Sequence, residues 1–120
     1  MVSSYKDLVV WQKAMNLVVL TYRVVKLLPK EENYALSDQM RRAAVSIPSN
    51  IAEGQSRNST KEFANFLSIA KGSNAELQTQ CMICVYLSYM TQEQAQPILD
   101  LSEEVSKMLS SLIQKLTTKH

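Results

Sequence analysis

The chain has 120 residues, a net charge of +2 and a composition that is 46% hydrophobic. That length allows one domain with one core, folding burying roughly two-thirds of the unfolded surface. Two Gly and three Pro leave too little turn chemistry for an all-β fold, while abundant Leu, Ala, Lys, Glu, Gln and Met favour helix. So small a charge neither demands nor excludes a nucleic-acid partner. Met1-Val-Ser-Ser does not open a basic segment followed by a long apolar one, and no apolar run approaches the ~20 residues of a membrane span. The expectation is a cytoplasmic protein without a membrane partner, its Cys81 and Cys84 reduced.

Residues 1–9 form a lead-in in which Ser4 and Asp7 make a loose cap. Helix 1 is predicted over 9–28. Its main apolar stripe is Trp11, Ala14, Met15, Val18, Tyr22 and Val25, with a second stripe of Val10, Leu17 and Val24 beside it. One stripe is enough for a surface helix of a monomer, so helix 1 is expected to be central or to lie at a subunit interface. Pro29 stops it, and 29–36 is a loop.

Helix 2, predicted over 37–54 with Ser37 as its N-cap, contains the most distinctive run, Gln39 to Gly54. Met40, Ala44, Ile47 and Ile51 form one face; Arg42, Ser46, Ser49 and Glu53 form the opposite one. Arg42 and Glu53 lie roughly 16 Å apart at the helical rise, so each needs a partner elsewhere. Pro48 removes one helical hydrogen bond and crowds the carbonyl of Ala44. Ser46 and Ser49 are placed to re-satisfy freed backbone groups. Pro48 is read first as a kink that wraps the helix around its neighbours, and second as a bend that opens a polar site. Gly54 is expected to end the helix in a left-handed conformation.

Ser59 followed by Glu62 is a capping-box pattern opening helix 3, predicted over 60–90. Phe63, Phe66, Leu67, Ala70, Leu77, Cys81, Cys84 and Val85 form its core stripe, and Lys61, Asn65, Ser68, Gly72, Ala75 and Thr79 the opposite face. Cys81 to Met90 is apolar nearly all round, which suggests burial on two sides. Thr91 and Gln94 repeat the capping pattern for helix 4, predicted over 92–117, with one stripe through Ile98, Leu101, Val105, Met108, Leu109, Leu112 and Leu116. Glu93 and Asp100 near its start, and Lys115 and Lys119 near its end, complement the helix dipole. Four helices joined by short loops give an all-α, antiparallel up-down four-helix bundle as one domain over 1–120. Surplus apolar surface on helices 1 and 3 predicts a homo-oligomer.

The chemistry-bearing residues are few. Cys81-Met-Ile-Cys84 lacks the two further ligands of a zinc site, and the single histidine is His120. No Glu-x-x-His pair for a di-iron centre occurs. Ser46, Ser49 and Glu53 lack a base and its orienter. No catalytic residue, metal ligand or cofactor is therefore assigned. Asn74 falls in the apolar stripe of helix 3 and must find hydrogen bonds when buried. Arg42, Ser46, Ser49, Asn50, Glu53, Ser73, Asn74 and Glu76 are read as a structural polar network joining helices 2 and 3, with Arg42 reaching a glutamate; ligand binding is the alternative role.

The run Gln39-Met-Arg-Arg-Ala-Ala-Val-Ser-Ile-Pro-Ser-Asn-Ile-Ala-Glu-Gly54, with Glu62-Phe63, Ala70-Lys-Gly-Ser73 and Glu76-Leu77, resembles the four-helix-bundle proteins encoded in intervening sequences of 23S ribosomal RNA genes. Tyr5-Lys-Asp-Leu8 and Val10-Trp11-Gln12-Lys13-Ala14 fit the same pattern, so the resemblance covers about residues 5 to 90. Ala35 departs from it where that family tends to have Gly. The resemblance implies an up-down bundle assembling as a homopentamer with no established catalytic activity. It extends remotely to the accessory protein of diversity-generating retroelements, a pentameric bundle thought to bind nucleic acid and a reverse transcriptase.

In a pentamer each charge repeats five times about an axis, and a ring of one sign concentrates the field. Arg41, Arg42, Arg57, Lys61 and Lys71 are the candidate contacts to structured RNA or DNA. The alternative is a structural or protein-interaction scaffold that binds no nucleic acid.

Overall fold

The computed structural model describes residues 4–118, and Lys119 and His120 lie outside it. Four helices make the fold: α1 (Val9–Val24), α2 (Leu36–Gln55), α3 (Thr60–Tyr86) and α4 (Gln92–Thr117). Single 3-10 turns lie at Tyr5–Asp7, Val25–Leu27 and Lys30–Glu32. No strand occurs among the described residues. α1 packs on α2 and α4, and α3 packs on the same two helices, so α1 and α3 are diagonal in a four-helix bundle. Gly54 of α2 lies against Phe63 and Phe66 of α3. Further along, Ser46 meets Ser73, and Met40 meets Cys84.

The core face of α1 is not the main stripe expected from its pattern. Of that stripe Ala14 and, in the 3-10 turn that follows, Val25 are buried, but Met15 and Tyr22 are exposed and Trp11 and Val18 half-buried, while Val10, Leu17 and Thr21 are buried. The two stripes are comparably apolar, and contact with α2 and α4 chooses between them. Thr21 tolerates burial because its hydroxyl donates to the carbonyl of Leu17. Ser4 accepts the Lys6 N–H and so caps the Tyr5–Asp7 turn rather than α1. The last turn of α1 tightens to 3-10, and Leu28 is extended ahead of Pro29, which disfavours helical geometry in the residue before it.

The N-terminus of α2 corrects one expectation. Ala35, not Ser37, is the N-cap, and Ser37 is buried with an unpartnered hydroxyl. The Glu32 carboxylate caps instead, accepting the Leu36 N–H at 3.2 Å. Pro48 lies inside the helix, buried. Beside it Asn50 donates to both the carbonyl and the hydroxyl of Ser46, and among the described residues neither Ser46 nor Ser49 donates to the Ala44 carbonyl that Pro48 frees.

Gly54 does not end the helix in a left-handed conformation; it is helical and buried. A β-carbon built on it would stand 2.7 Å from Cβ of Phe66 and 3.2 Å from the Phe63 carbonyl oxygen. Glycine is required here by close approach of α2 and α3, not by backbone freedom.

α3 stops at Tyr86, short of the expected 90. Ser88 adopts φ 61°, Tyr89 N–H donates to the Cys84 carbonyl and Ser88 N–H to that of Val85. This is a Schellman motif, with serine where glycine is usual. The apolar run up to Met90 hid the stop. Ser59 accepts the Glu62 N–H, the half of the capping box that forms. The box at Thr91 and Gln94 is complete, and α4 spans the predicted residues, with an exposed Pro97 in its interior.

The core joins Leu17, Met40, Ile47, Ile51, Leu67, Leu77, Ile98, Val105 and Leu109, all fully buried and drawn from the four helices. At about 25 cal/mol per Å² of apolar surface, each contributes roughly 1.5–3 kcal/mol relative to exposure.

Candidate nucleic-acid interface

The five candidate cations divide into two groups. Arg41, Arg42 and Arg57 are tied within the chain. Arg41 Nη2 donates to the Asn33 carbonyl at 3.0 Å, fastening α2 to the preceding loop. Arg42 Nε donates to Asp38 Oδ2 at 3.0 Å, one turn back on α2. Arg57 Nη2 pairs with Glu53 at 2.7 Å, while its Nη1 lies 3.8 Å from Glu62 and its guanidinium 5.0 Å from the centre of the Phe66 ring. These ion pairs are exposed, the kind that contribute at most ~1 kcal/mol and exchange readily for other partners. Lys61 and Lys71 are exposed on α3 and have no ion pair among the described residues.

The expected polar network separates into two. Ser46 and Ser73 share a hydrogen bond of 2.8 Å between α2 and α3, extended by Asn50. Asn74 instead faces α4: Ser102 donates to its Oδ1 at 2.6 Å, and its Nδ2 donates to the Ser102 carbonyl at 2.8 Å. Both residues are fully buried, so each exchanges water for a reciprocal pair. Arg42 does not reach a glutamate, and Arg42 and Glu53 find partners one turn away on their own segment rather than across the bundle. The spacing argument overlooked Asp38 and Arg57, each four residues distant. Ser49 and Glu76 are exposed, with no side-chain hydrogen bond among the described residues.

A polar cleft of about 210 Å³ lies between α2 and α3, lined by Gln39, Arg42, Ala43, Ser46, Ser73, Glu76 and Gln80. Gln80 is 6% exposed, and its Oε1 has no partner. A second recess of about 470 Å³, lined by Tyr22, Asp38, Arg41, Arg42, Val45 and Ser46, shares Arg42 and Ser46 with the first. Arg42 thus stands on a ridge between two recesses. Sequence reasoning missed Gln80, although its signal equals that of Asn74: it sits three residues after Leu77 and four before Cys84, on the apolar stripe.

Cys81 and Cys84 are buried, and burial pushes each thiol up to about 11. Cys84 Sγ lies 3.6 Å from Met40 Sδ, a contact between core side chains. Among the described residues no three His, Cys, Asp or Glu gather as metal ligands. No helix is long and apolar enough to cross a membrane among those residues.

A search of curated proteins finds no match. Among solved structures, the chain resembles a protein with unknown function from the S23 ribosomal protein family of Bacteroides thetaiotaomicron. The two are 30% identical with a TM-score of 0.82, over 88% of this chain and 99% of that one. The family model described as 23S rRNA-intervening sequence protein matches residues 6–111. On a match across most of its length, the chain belongs to the 23S rRNA-intervening sequence protein family.

Proposed function

We propose that the protein is a non-enzymatic binding module of one domain. Its antiparallel up-down bundles assemble as a homopentamer in the cytoplasm and hold structured RNA or DNA through basic residues repeated around the ring. The observation that carries the assembly is a set of exposed apolar side chains on the diagonal helices α1 and α3. Val9, Met15, Val19 and Tyr22 on α1, and Ile69, Met82, Ile83 and Leu87 on α3 and its C-cap, are between 40% and 53% exposed. Apolar side chains exposed on two different helices favour a head-to-tail contact, which makes a ring when its rotation closes. Lys61 and Lys71 supply uncompensated charge, and the exposed ion pairs of Arg42 and Arg57 are of the kind that phosphate can replace.

A protein-interaction scaffold is the second reading. It is favoured by the in-chain pairing of Arg42 with Asp38 and of Arg57 with Glu53, which lowers the free positive charge.

Fluorescence-anisotropy titration with structured RNA, duplex DNA and single strands separates the readings. Phosphate binding gives micromolar or tighter affinity that falls linearly with log salt, the slope counting the phosphates. Lys61→Glu with Lys71→Glu weakens binding and flattens that slope. Absence of binding at low salt leaves the scaffold reading.

A further inference from the structure

One carboxylate interrupts an exposed apolar row on α3. Ile69, Glu76 and Ile83 recur at seven-residue intervals, so they lie in one row along the helix, roughly 10 Å per step at the helical rise. Ile69 is 52% exposed and Ile83 40%, and Glu76 between them has no ion pair among the described residues. The seam between α1 and α2 presents the complementary pattern. Trp11, Met15, Val18, Val45 and Pro48 line an apolar recess of about 290 Å³. Val45 also borders the recess of about 470 Å³ that holds Tyr22 and Arg42. Arg42 uses Nε for Asp38, and its two terminal nitrogens have no partner among the described residues.

The two patterns are in register. Ser46 and Ser73 are hydrogen-bonded and Met40 touches Cys84, so each pair stands level along the bundle. Rotation about a ring axis parallel to the bundle moves a subunit to its neighbour's place without changing any residue's level. Ile69 of one copy then comes opposite Asn50 of the next, beside the Pro48 recess. Glu76 comes opposite Ala43, within a side chain's reach of Arg42. Ile83 comes opposite Arg41, where Tyr22 stands.

We infer that the α1–α2 seam binds α3 of a second copy, and that Arg42 of one subunit pairs there with Glu76 of the partner subunit. Apolar contacts on either side of the pair keep water from it. A charge pair so placed fixes register and orientation more than it adds affinity. The contact is head-to-tail, because each copy presents one seam and one row. The inference rests on the assembly proposed above and names its two surfaces and their register. Arg42 is thereby withdrawn from phosphate, which falls to Arg57, Lys61 and Lys71.

The test is the mass in solution, at micromolar concentration, of the parent, of Arg42→Glu, of Glu76→Arg and of the two variants mixed in equal amounts. Each reversal sets like charges against each other and is expected to lower the mass to that of one chain. Mixing restores opposite charges wherever unlike subunits meet, and is expected to return a mass above one chain. A pair formed within one chain gains nothing from mixing. Thermal melts verify that the variants are folded. Where a reversal unfolds the chain, Arg42→Gln and Glu76→Gln replace it, each expected to weaken self-association about tenfold and together no further. Either variant associating as the parent does, or a mixture that stays at one chain, overturns the Arg42–Glu76 contact and leaves assembly through the apolar side chains standing. A parent mass of one chain overturns both.

Discussion

Tyr89 donates a 2.7 Å hydrogen bond to Glu32, joining the turn after α3 to the loop before α2 across 57 residues of sequence. The other Glu32 oxygen caps α2 at the Leu36 N–H. One carboxylate thus fixes the start of α2 and the exit of α3 together. Tyr89→Phe keeps the ring and removes the bond. It is expected to lower the midpoint of urea denaturation at unchanged slope. An unchanged midpoint would deny the bond a role in stability.

The two glycines should respond in opposite directions to alanine. Gly54 has Phe66 Cβ 2.7 Å from where a β-carbon would sit, so Gly54→Ala forces α2 and α3 apart at an expected cost of about 1–3 kcal/mol. Gly72 is exposed in α3 with nothing within 4 Å of a β-carbon, so Gly72→Ala should stabilise by about 0.5–1 kcal/mol. Thermal melts of the two variants check the contrast, and a loss at both positions would mean that Gly72 is covered in the assembly.

The reciprocal Asn74–Ser102 pair should behave as a unit. Asn74→Ala orphans the Ser102 hydroxyl, and Ser102→Ala removes one of the two bonds; about 1–3 kcal/mol is expected for each. A double-mutant cycle should return a coupling of at least about 0.5 kcal/mol, whereas strict additivity would show that the two side chains contribute no interaction energy to stability.

Stability should fall at alkaline pH through the buried thiols. Their folded value of about 11 exceeds the ordinary 9.0, so the unfolded chain loses these protons first as pH rises. The contribution is complete below pH 9 and is lost between 9 and 11. Tyr89 adds to the loss above pH 10, because its hydrogen bond to Glu32 raises its hydroxyl in the same direction. Cys81→Ala with Cys84→Ala should flatten the decline between pH 9 and 10 relative to the parent, measured by urea denaturation at each pH. An equally steep decline in the variant would assign it to other groups.

Helix number and most boundaries were legible because periodicity and caps agree. The Thr91–Gln94 box placed α4 to the residue, and Asn74 was recognisably a buried polar group. The errors fall where local pattern is degenerate. Two parallel apolar stripes on α1 cannot be ranked without knowing its neighbours. The end of α3 depends on Ser88 adopting φ 61°, a conformation that the residue type does not announce. Gly54 looked like a helix end because glycine serves both as a C-terminal residue and as a close-packing one. The cleft depends on Gln39, Arg42, Glu76 and Gln80 converging from two helices, and no spacing within either helix reveals that convergence.

The most direct test of self-assembly through exposed apolar side chains on diagonal helices is the mass in solution at micromolar concentration. Sedimentation equilibrium or light scattering should give about five times the 13.6 kDa chain mass, and Val19→Lys or Ile83→Lys should reduce it. A parent mass of one chain would contradict the account, because those side chains would then be exposed without a partner.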